Sequence, residues 1–454
     1  MTHTRDDNAY ILIQGGRVLT MDASQTEPIA ADVLIKGSKI VEIGPNLQDK
    51  APGKIEVIDA RGKLVMPGLI DNHWHMWQGL IPGVSADDTF GEYFARALDG
   101  LGPKFTPQDC ALGVTLSALA GLDAGKTTVV NWDHGALTAK HAAASISALQ
   151  QVGIRAIEAY GPPANSAEWF NSNGAPTADD VRTVYKENIK PGGLVSMGLA
   201  IRGPEFSTME RVTADVELAR ELHIPVTMHA GIPGFFHEKN SPKLMEDAGL
   251  LGDDITFVHC NAMGVDDFKR IKQHDAHISG SPEVEMQMGF GPSPLGAALE
   301  GGAHPTVSVD VPTAVGADLL LQARIMLQRQ READNAAAFA GTGKPAPALL
   351  RKDQDALAYV TTYAAESINM SDRIGSLAPG KCADVIVVDL NDADTFLRPV
   401  APALLQAVHP GNITDVLVDG QIMKRGGELV CISKQELKKL REDAKAANQR
   451  LLQA

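Results

Sequence analysis

Two histidines stand two positions apart in the segment Pro67-Gly68-Leu69-Ile70-Asp71-Asn72-His73-Trp74-His75. Short β-like segments precede them, so we expect both near the end of a strand, where residues i and i+2 point to the same face. Two imidazoles that converge on one point are suited to bind a divalent metal ion. The pair alone is a weak signal, because a histidine at a strand end is more often structural.

Three further residues with metal-binding side chains strengthen this interpretation. His229, His259 and Asp310 each end a short β-branched or apolar run. Catalytic groups of a parallel barrel lie at the carboxyl ends of its strands. Imidazoles combined with a carboxylate suit a borderline divalent ion such as Zn²⁺ or Fe²⁺. The pattern therefore predicts one metal centre at the strand ends.

The central part of the chain has the alternation that such a barrel requires. Strand and helix patterns alternate from about residue 66 to residue 365, which predicts a parallel sheet. The strands predicted after the one that carries His73 are 127–132, 153–160, 194–200, 224–228, 255–258, 276–279 and 306–309. Eight strands in about 240 residues are the count and length of a (β/α)8 TIM barrel.

Both ends of the chain consist of short strand patterns separated by glycine-rich turns. Neither end is large enough to bury a good core alone, so we expect them to join into one small β-sandwich domain. The predicted organisation is a composite β-sandwich from 1–65 and 366–433, a catalytic barrel from 66–365 and a charged surface helix from 434–454.

Composition excludes several classes of partner. The net charge is −15 and no long basic run occurs, which argues against a nucleic-acid surface. The four cysteines contain no CxxC pair, which argues against a disulfide framework or a zinc ribbon. The polar start and the lack of a long apolar run predict a cytoplasmic protein without a membrane anchor. We expect a small-molecule substrate, and the pattern leaves open a homodimer or a higher homo-oligomer.

Three segments resemble the amidohydrolase superfamily, in the group of cytosine deaminase-like, S-adenosylhomocysteine deaminase-like and triazine chlorohydrolase-like enzymes. They are residues 13–20, the Pro-Gly-Leu-Ile-Asp segment 67–71 and residues 375–389. The resemblance implies a hydrolase with one divalent ion, zinc first and iron or manganese as alternatives. It also implies attack by an activated water on a trigonal carbon of a small cyclic, nitrogen-containing substrate. The bond that breaks is then a non-peptide C–N bond (amide, urea or amino) or a C–halogen bond.

The resemblance also implies roles for individual residues. The implied metal ligands are His73, His75, His229 and Asp310. Asp310 would in addition accept the proton of the attacking water, and His259 would polarise the substrate beside the metal. Binuclear relatives use a carboxylated lysine on the fourth strand, but residues 195–202 contain no lysine. A mononuclear centre is therefore predicted.

One expected acid is missing. Related deaminases and triazine hydrolases carry His-x-x-Glu on the fifth strand, whereas His229 is followed at that spacing by Ile232, which cannot transfer a proton. After the seventh strand, Glu285 stands where the relatives carry asparagine. Glu285 or Glu283 could supply the lost carboxylate or bind a cationic group of the substrate. The alternative is that both are solvated loop charges.

Weaker candidates for substrate binding flank the strand ends. They are Trp77, Gln78, His134 and Arg202. Each has a structural alternative: Trp77 could belong to the core, and Arg202 could form an internal salt bridge with Glu205, which we favour. The competing interpretation of the whole chain is a catalytically silent scaffold or binding protein. Such proteins usually lose metal ligands, and every ligand is kept here.

Overall fold

The computed structural model describes residues 8–22, 27–51, 53 and 55–453. Its strands, numbered in chain order, are β1 (Tyr10–Val18), β2 (Ile29–Lys36), β3 (Lys39–Gly44), β4 (Ile55–Asp59), β5 (Leu64–Pro67), β6 (Leu69–Trp74), β7 (Lys126–Asp133), β8 (Arg155–Tyr160), β9 (Val195–Ile201), β10 (Val226–Ala230), β11 (Ile255–His259), β12 (His277–Gly280), β13 (Pro305–Val307), β14 (Val385–Val388), β15 (Ile413–Val418), β16 (Gln421–Arg425) and β17 (Glu428–Leu429).

Helices connect most of these strands. They are α1 (Phe90–Tyr93), α2 (Pro107–Asp123), α3 (Ala139–Val152), α4 (Ser166–Trp169), α5 (Ala178–Asn188), α6 (Gly203–Phe206), α7 (Met209–Leu222), α8 (Ser241–Asp247), α9 (Val265–Gln273), α10 (Pro282–Met288), α11 (Leu295–Glu300), α12 (Leu319–Thr342), α13 (Asp353–Ala358), α14 (Thr362–Glu366), α15 (Val400–Gln406) and α16 (Lys434–Gln453). Short 3-10 turns cover Gln48–Lys50, Met76–Leu80, Gly102–Lys104, His237–Lys239 and Pro410–Asn412, and a π-helical segment covers Phe94–Leu101.

Strands β6 to β13 form a parallel eight-stranded barrel in chain order. Every residue of β6, β7, β8, β11 and β12 is buried, as expected for strands that are covered on both faces. Apolar or β-branched runs form the centre of some of these strands, such as 127–130 in β7 and 255–258 in β11, and such runs allowed the strands to be predicted. The predicted TIM barrel is confirmed.

The barrel closes at residues that were predicted to bind metal. The Asp310 N–H donates to the His73 carbonyl at 3.1 Å, and the His75 N–H donates to the Asp310 carbonyl at 2.8 Å. These two bonds join the end of the first barrel strand to the segment after the last one, in parallel pairing. The closure thus fixes the backbone of three candidate ligands relative to one another.

Both chain ends contribute to one β-structure beside the barrel, as predicted. Its strands form a continuous mixed sheet in the order β17-β16-β15-β14-β5-β1-β2-β3, with β4 paired to β1. The two ends meet where β5 pairs antiparallel with β14. Alternate apolar residues of these strands, including Ile13, Val33, Val65, Val385 and Leu417, pack into a core separate from that of the barrel.

The C-terminal helix packs on the barrel. Leu451 of α16 is fully buried, and the Asn448 amide donates to the Leu80 carbonyl at 2.8 Å. The remaining face of α16 is mostly charged and exposed, in line with the predicted surface helix. Of the helices in the described part of the chain, none combines the length and apolarity needed to cross a bilayer.

A buried ion pair ties the barrel to the mixed sheet. Arg155, at the start of β8, donates from Nε and Nη2 to the two carboxylate oxygens of Asp384 at 3.0 and 2.8 Å. Its Nη2 also reaches Asp419 at 2.8 Å. Arg155 and Asp384 are only 2% and 3% exposed, so neither charge is solvated by bulk water. The fork of the guanidinium matches the carboxylate and fixes the mutual orientation of the two domains.

Replacing Arg155 with methionine should strongly destabilise the protein. The Asp384 carboxylate would stay buried without its cation, which costs about 3–5 kcal/mol in the free energy of unfolding. Urea unfolding monitored by circular dichroism measures the loss. The control is Arg182→Met, which removes an exposed ion pair to Glu221 and should cost far less, because water and salt screen exposed charges. Equal, small losses in both variants would contradict the assigned role of Arg155.

Candidate active site

The five predicted metal-site residues converge at the carboxyl end of the barrel. Asp310 Oδ1 lies 3.1 Å from His73 Nε2 and 3.3 Å from His75 Nε2. His229 Nε2 lies 3.3 Å from His73 Nε2. His259 is slightly farther away, with its Nε2 3.9 Å from Asp310 Oδ2. The structure therefore brings together residues that are up to 237 positions apart in sequence.

The donor set fits a divalent metal ion. Two ligands of a tetrahedral zinc, each about 2.0–2.1 Å from the ion, are about 3.3 Å apart, which is the spacing found here. Burial lowers the pKa of His73 to about 3 and also lowers the pKa of His229, so both imidazoles are in the neutral form that binds metals. Burial opposes ionisation of Asp310, but its contact with the His73 imidazole outweighs burial and holds the pKa of Asp310 well below the usual range.

Neighbouring groups fix the orientation of two of the imidazoles. His75 Nδ1 lies 2.8 Å from the Trp132 carbonyl, which can only accept, so Nδ1 carries the proton and Nε2 presents a lone pair to the site. His259 is held in the same way, because its Nδ1 lies 3.3 Å from Glu285 Oε1. Outer partners of this kind commonly orient metal-binding histidines.

Two of the site residues have strained backbones. The φ angles of His259 and Asp310 are +76° and +70°, in the left-handed region that residues with a Cβ rarely adopt. Such conformations cost about 1–3 kcal/mol each and persist where the surrounding structure enforces them, often at active sites. Nothing in the sequence marks these two positions as strained.

Glu285 lies behind His259 and outside the cavity lining. It is 1% exposed and accepts hydrogen bonds from the Ser281 N–H at 2.6 Å and from the Asn261 amide at 3.1 Å. The carboxylate therefore reaches the site only through His259. Glu283 is farther from the site: its carboxylate accepts from the Gln322 side chain of α12, and it does not line the cavity.

A cavity of about 350 Å³ opens in front of the metal-site residues. Its walls are mainly aromatic, and they include Phe90, Phe94, Trp169, Phe206, Phe235 and Phe290. Aromatic walls with few polar groups suit a flat, weakly polar ring. Ile232 is also part of the lining and is 3% exposed, so the position where the relatives carry an acid does face the cavity.

His134 is the sequence-predicted substrate-binding residue that lines this cavity. Its ring stacks on His75 at 3.8 Å between centroids. The Trp77 indole N–H donates to His134 Nδ1 at 3.0 Å, and because an indole can only donate, the proton of a neutral His134 must be on Nε2. Trp77 itself is outside the lining and positions His134.

Arg202 forms hydrogen bonds with the protein backbone. Its guanidinium donates to the carbonyls of Trp169 at 2.8 Å and Glu168 at 2.7 Å, and it is absent from the cavity lining. The predicted salt bridge to Glu205 is wrong, because Glu205 accepts instead from the Gly231 N–H at 3.0 Å and the Ser241 hydroxyl at 2.8 Å. Arg202 therefore positions the end of α4, which carries Trp169, and is not placed to bind a substrate.

The sequence interpretation missed the aromatic cover of the cavity. Phe90, Tyr93 and Phe94 follow Thr89 at helical spacing, so they lie on one face of α1 and its continuation. Thr89 and Glu92 form a capping box, a pattern that marks a helix start in sequence. That signal was present, but it could not show that this helix covers the site.

Replacing Glu205 with glutamine should change the pH dependence of stability. Burial raises the pKa of Glu205 from 4.5 to about 7. The folded protein therefore holds a proton that the unfolded chain releases, and this carboxyl group lowers stability progressively as the pH rises from 4.5 to about 7. Glutamine cannot ionise, so the variant should gain up to about 3 kcal/mol relative to the wild type between pH 4.5 and pH 8. Urea midpoints at both pH values measure this difference, and parallel pH profiles would contradict it.

Comparison with known proteins places this site in a family. The profile of the Amidohydrolase family matches residues 64–423. A 5-methylthioadenosine/S-adenosylhomocysteine deaminase of Symbiobacterium thermophilum is 26% identical over 91% of this chain and 93% of its own length. A 5'-deoxyadenosine deaminase of Methanobrevibacter smithii is 24% identical over 93% of this chain and 94% of its own length.

Solved structures show the same fold. A variant of the atrazine chlorohydrolase of Arthrobacter aurescens, solved with zinc and atraton, has a TM-score of 0.85 at 21% identity and covers 96% of this chain and 100% of its own. An adenosine deaminase of Xanthomonas campestris with bound zinc has a TM-score of 0.82 at 19% identity and covers 99% of this chain and 100% of its own. Because the family profile spans the whole barrel, the chain belongs to the amidohydrolase family, and the prediction of a metal-dependent hydrolase of that family is confirmed.

Proposed function

We propose that this chain is a mononuclear, zinc-dependent hydrolase that removes an amino, halogen or comparable substituent from a small, planar nitrogen heterocycle. The observation that carries the proposal is the convergence of the five metal-site residues at the floor of an aromatic cavity. The proteins similar to this chain are named for compounds that contain such a ring: 5-methylthioadenosine, S-adenosylhomocysteine, 5'-deoxyadenosine and atrazine.

Four residues would hold the ion, and they are His73, His75, His229 and Asp310. When bound, a divalent zinc ion supplies a water nucleophile that ionises near neutral pH. A second ion is not expected, because strand β9 offers no lysine to bridge two metals. Iron or manganese would suit the same ligands.

The chain itself can move the protons that the reaction requires. Asp310 is ionised and accepts the proton of the attacking water. In the tautomer fixed by Glu285, His259 Nε2 carries no proton and lies 3.9 Å from Asp310 Oδ2. His259 can therefore take up that proton and deliver it to the leaving group, while the Glu285 carboxylate stabilises the imidazolium. This pair would replace the acid that is lost at Ile232.

The cavity supports a flat and weakly polar substrate. Aromatic side chains from the segments after β6, β8, β9, β10 and β12 surround it, and the neutral His134 can offer an Nε2–H donor to a ring nitrogen. Arg202 is not placed to bind an anionic substituent, since it lies outside the cavity lining and donates from Nε and Nη2 to backbone carbonyls. We therefore expect alkyl-substituted heterocycles to bind better than anionic ones.

Removing one ligand tests the proposal. Purified wild-type protein should hold about one equivalent of zinc, and His73→Ala should lower zinc affinity at least about tenfold, because removing a ligand costs no less than removing an outer partner. Elemental mass spectrometry measures the metal. Hydrolysis of chloro- and amino-substituted s-triazines, adenine nucleosides and cyclic amides by the zinc-loaded protein measures activity.

His274→Ala is the matched control, because His274 pairs with Glu246 away from the site. It should keep both metal and activity. Two equivalents of zinc would show a bridging ligand that the described residues do not reveal. If the wild type holds no metal even after reconstitution, the proposal fails and the chain is a catalytically silent scaffold.

A further inference from the structure

Tyr93 occupies a fixed position at the cavity. It ends the single turn of α1, which Thr89 and Glu92 cap at its start. The Tyr93 N–H donates to the Thr89 carbonyl at 2.9 Å, which holds the residue in helical geometry. Tyr93 is 4% exposed and lines the same cavity as Asp310 and Ile232.

A chain of buried hydrogen bonds determines whether the Tyr93 hydroxyl is free to donate or to accept a further hydrogen bond. The Thr313 hydroxyl donates to Gln78 Oε1 at 3.0 Å, and Gln78 Nε2 donates to Tyr93 Oη at 2.6 Å. An amide nitrogen has no lone pair to offer, so the bond from Gln78 occupies an acceptor position of the Tyr93 oxygen. The phenolic proton stays free, and within the described part of the chain no hydrogen-bond acceptor is assigned to it.

We propose that Tyr93 donates this hydrogen bond to a ring nitrogen of the substrate. The inference rests on the proposed function, because it requires a nitrogen heterocycle in the cavity. Gln78 and Thr313 are then positioning residues, which gives Gln78 an indirect role in place of the direct substrate contact predicted from sequence. A buried donor without a partner is costly, and a substrate acceptor would relieve that cost.

The ionisation state of Tyr93 agrees with a donor role. Burial raises the pKa of the Tyr93 hydroxyl far above its usual value, and the nearby Asp310 carboxylate raises it further. The hydroxyl therefore stays protonated over the range in which the enzyme is stable, and it cannot serve as the base. It can donate a hydrogen bond to a position where negative charge develops.

The alternative is that Tyr93 only packs. Tyr160 and Tyr359 also have buried hydroxyls without an assigned partner, so an unused hydroxyl alone shows little. Tyr93 differs from both in two respects. It lines the cavity, and a buried pair of polar side chains orients its oxygen. If Tyr93 only packed, the hydrogen bonds that link it to Gln78 and Thr313 would not be required.

The test compares binding of two unreactive probes to zinc-loaded protein. One is a diethyl-s-triazine whose third ring carbon bears only hydrogen, and the other is the diethylbenzene of the same shape. Equilibrium dialysis gives the ratio of their dissociation constants for the wild type and for Tyr93→Phe. Loss of one neutral hydrogen bond should reduce the preference for the triazine by about 3- to 10-fold. Tyr363→Phe is the control, since Tyr363 stacks on His304 at 4.1 Å outside the cavity and should leave the ratio unchanged.

An unchanged ratio in Tyr93→Phe would overturn the inference, and so would a wild type that binds neither probe. Both results differ from failure of the proposed function, which is judged by zinc-dependent turnover of the substrate panel. A kinetic measurement adds a second criterion on any compound that the wild type hydrolyses. Tyr93→Phe should lower kcat/KM by a similar factor for an amino and for a chloro leaving group, because attack on either compound places negative charge on the same ring nitrogen. An unchanged kcat/KM for both groups would contradict the inference.

Discussion

The site depends on the closure of the barrel at Asp310. Its backbone pairs with His73 and His75, so the first and last strands are joined by the same residues that supply three candidate ligands. Closure thereby determines the position of the carboxylate among the imidazoles, and the positive φ of Asp310 is part of that geometry.

The arrangement is costly without a metal. Nitrogen atoms of His73 and His229 lie 3.3 Å apart, and buried histidines surround an ionised carboxylate. Outer groups stabilise this geometry: the Trp132 carbonyl orients His75, Glu285 orients His259 and Trp77 orients His134. The protein therefore has a preformed site whose polar groups can bind the ion and the substrate, while the walls of the cavity are mainly apolar.

Sequence patterns predict those parts of the protein that local rules determine. Buried parallel strands appear as apolar runs, and strand-end histidines identify the site, so the barrel and the residues that meet around Asp310 could be predicted. The roles of Arg202 and Glu285 could not, because each depends on partners that only the tertiary fold brings near. Arg202 is bound by carbonyls some 30 residues earlier in the chain, and Glu285 reaches the site through a histidine 26 positions away. The role of Tyr93 was missed for the same reason, since its hydroxyl is oriented by Gln78 and, through Gln78, by Thr313, which follows the last barrel strand.

The central claim is that one divalent ion binds where these side chains converge. A crystal structure of the zinc-loaded protein, with anomalous diffraction data collected at the zinc edge, tests it most directly. We predict a single anomalous peak about 2.0–2.2 Å from nitrogen atoms of His73, His75 and His229 and from an oxygen of Asp310. A peak elsewhere, two peaks within the barrel, or no peak at full zinc loading would contradict the account.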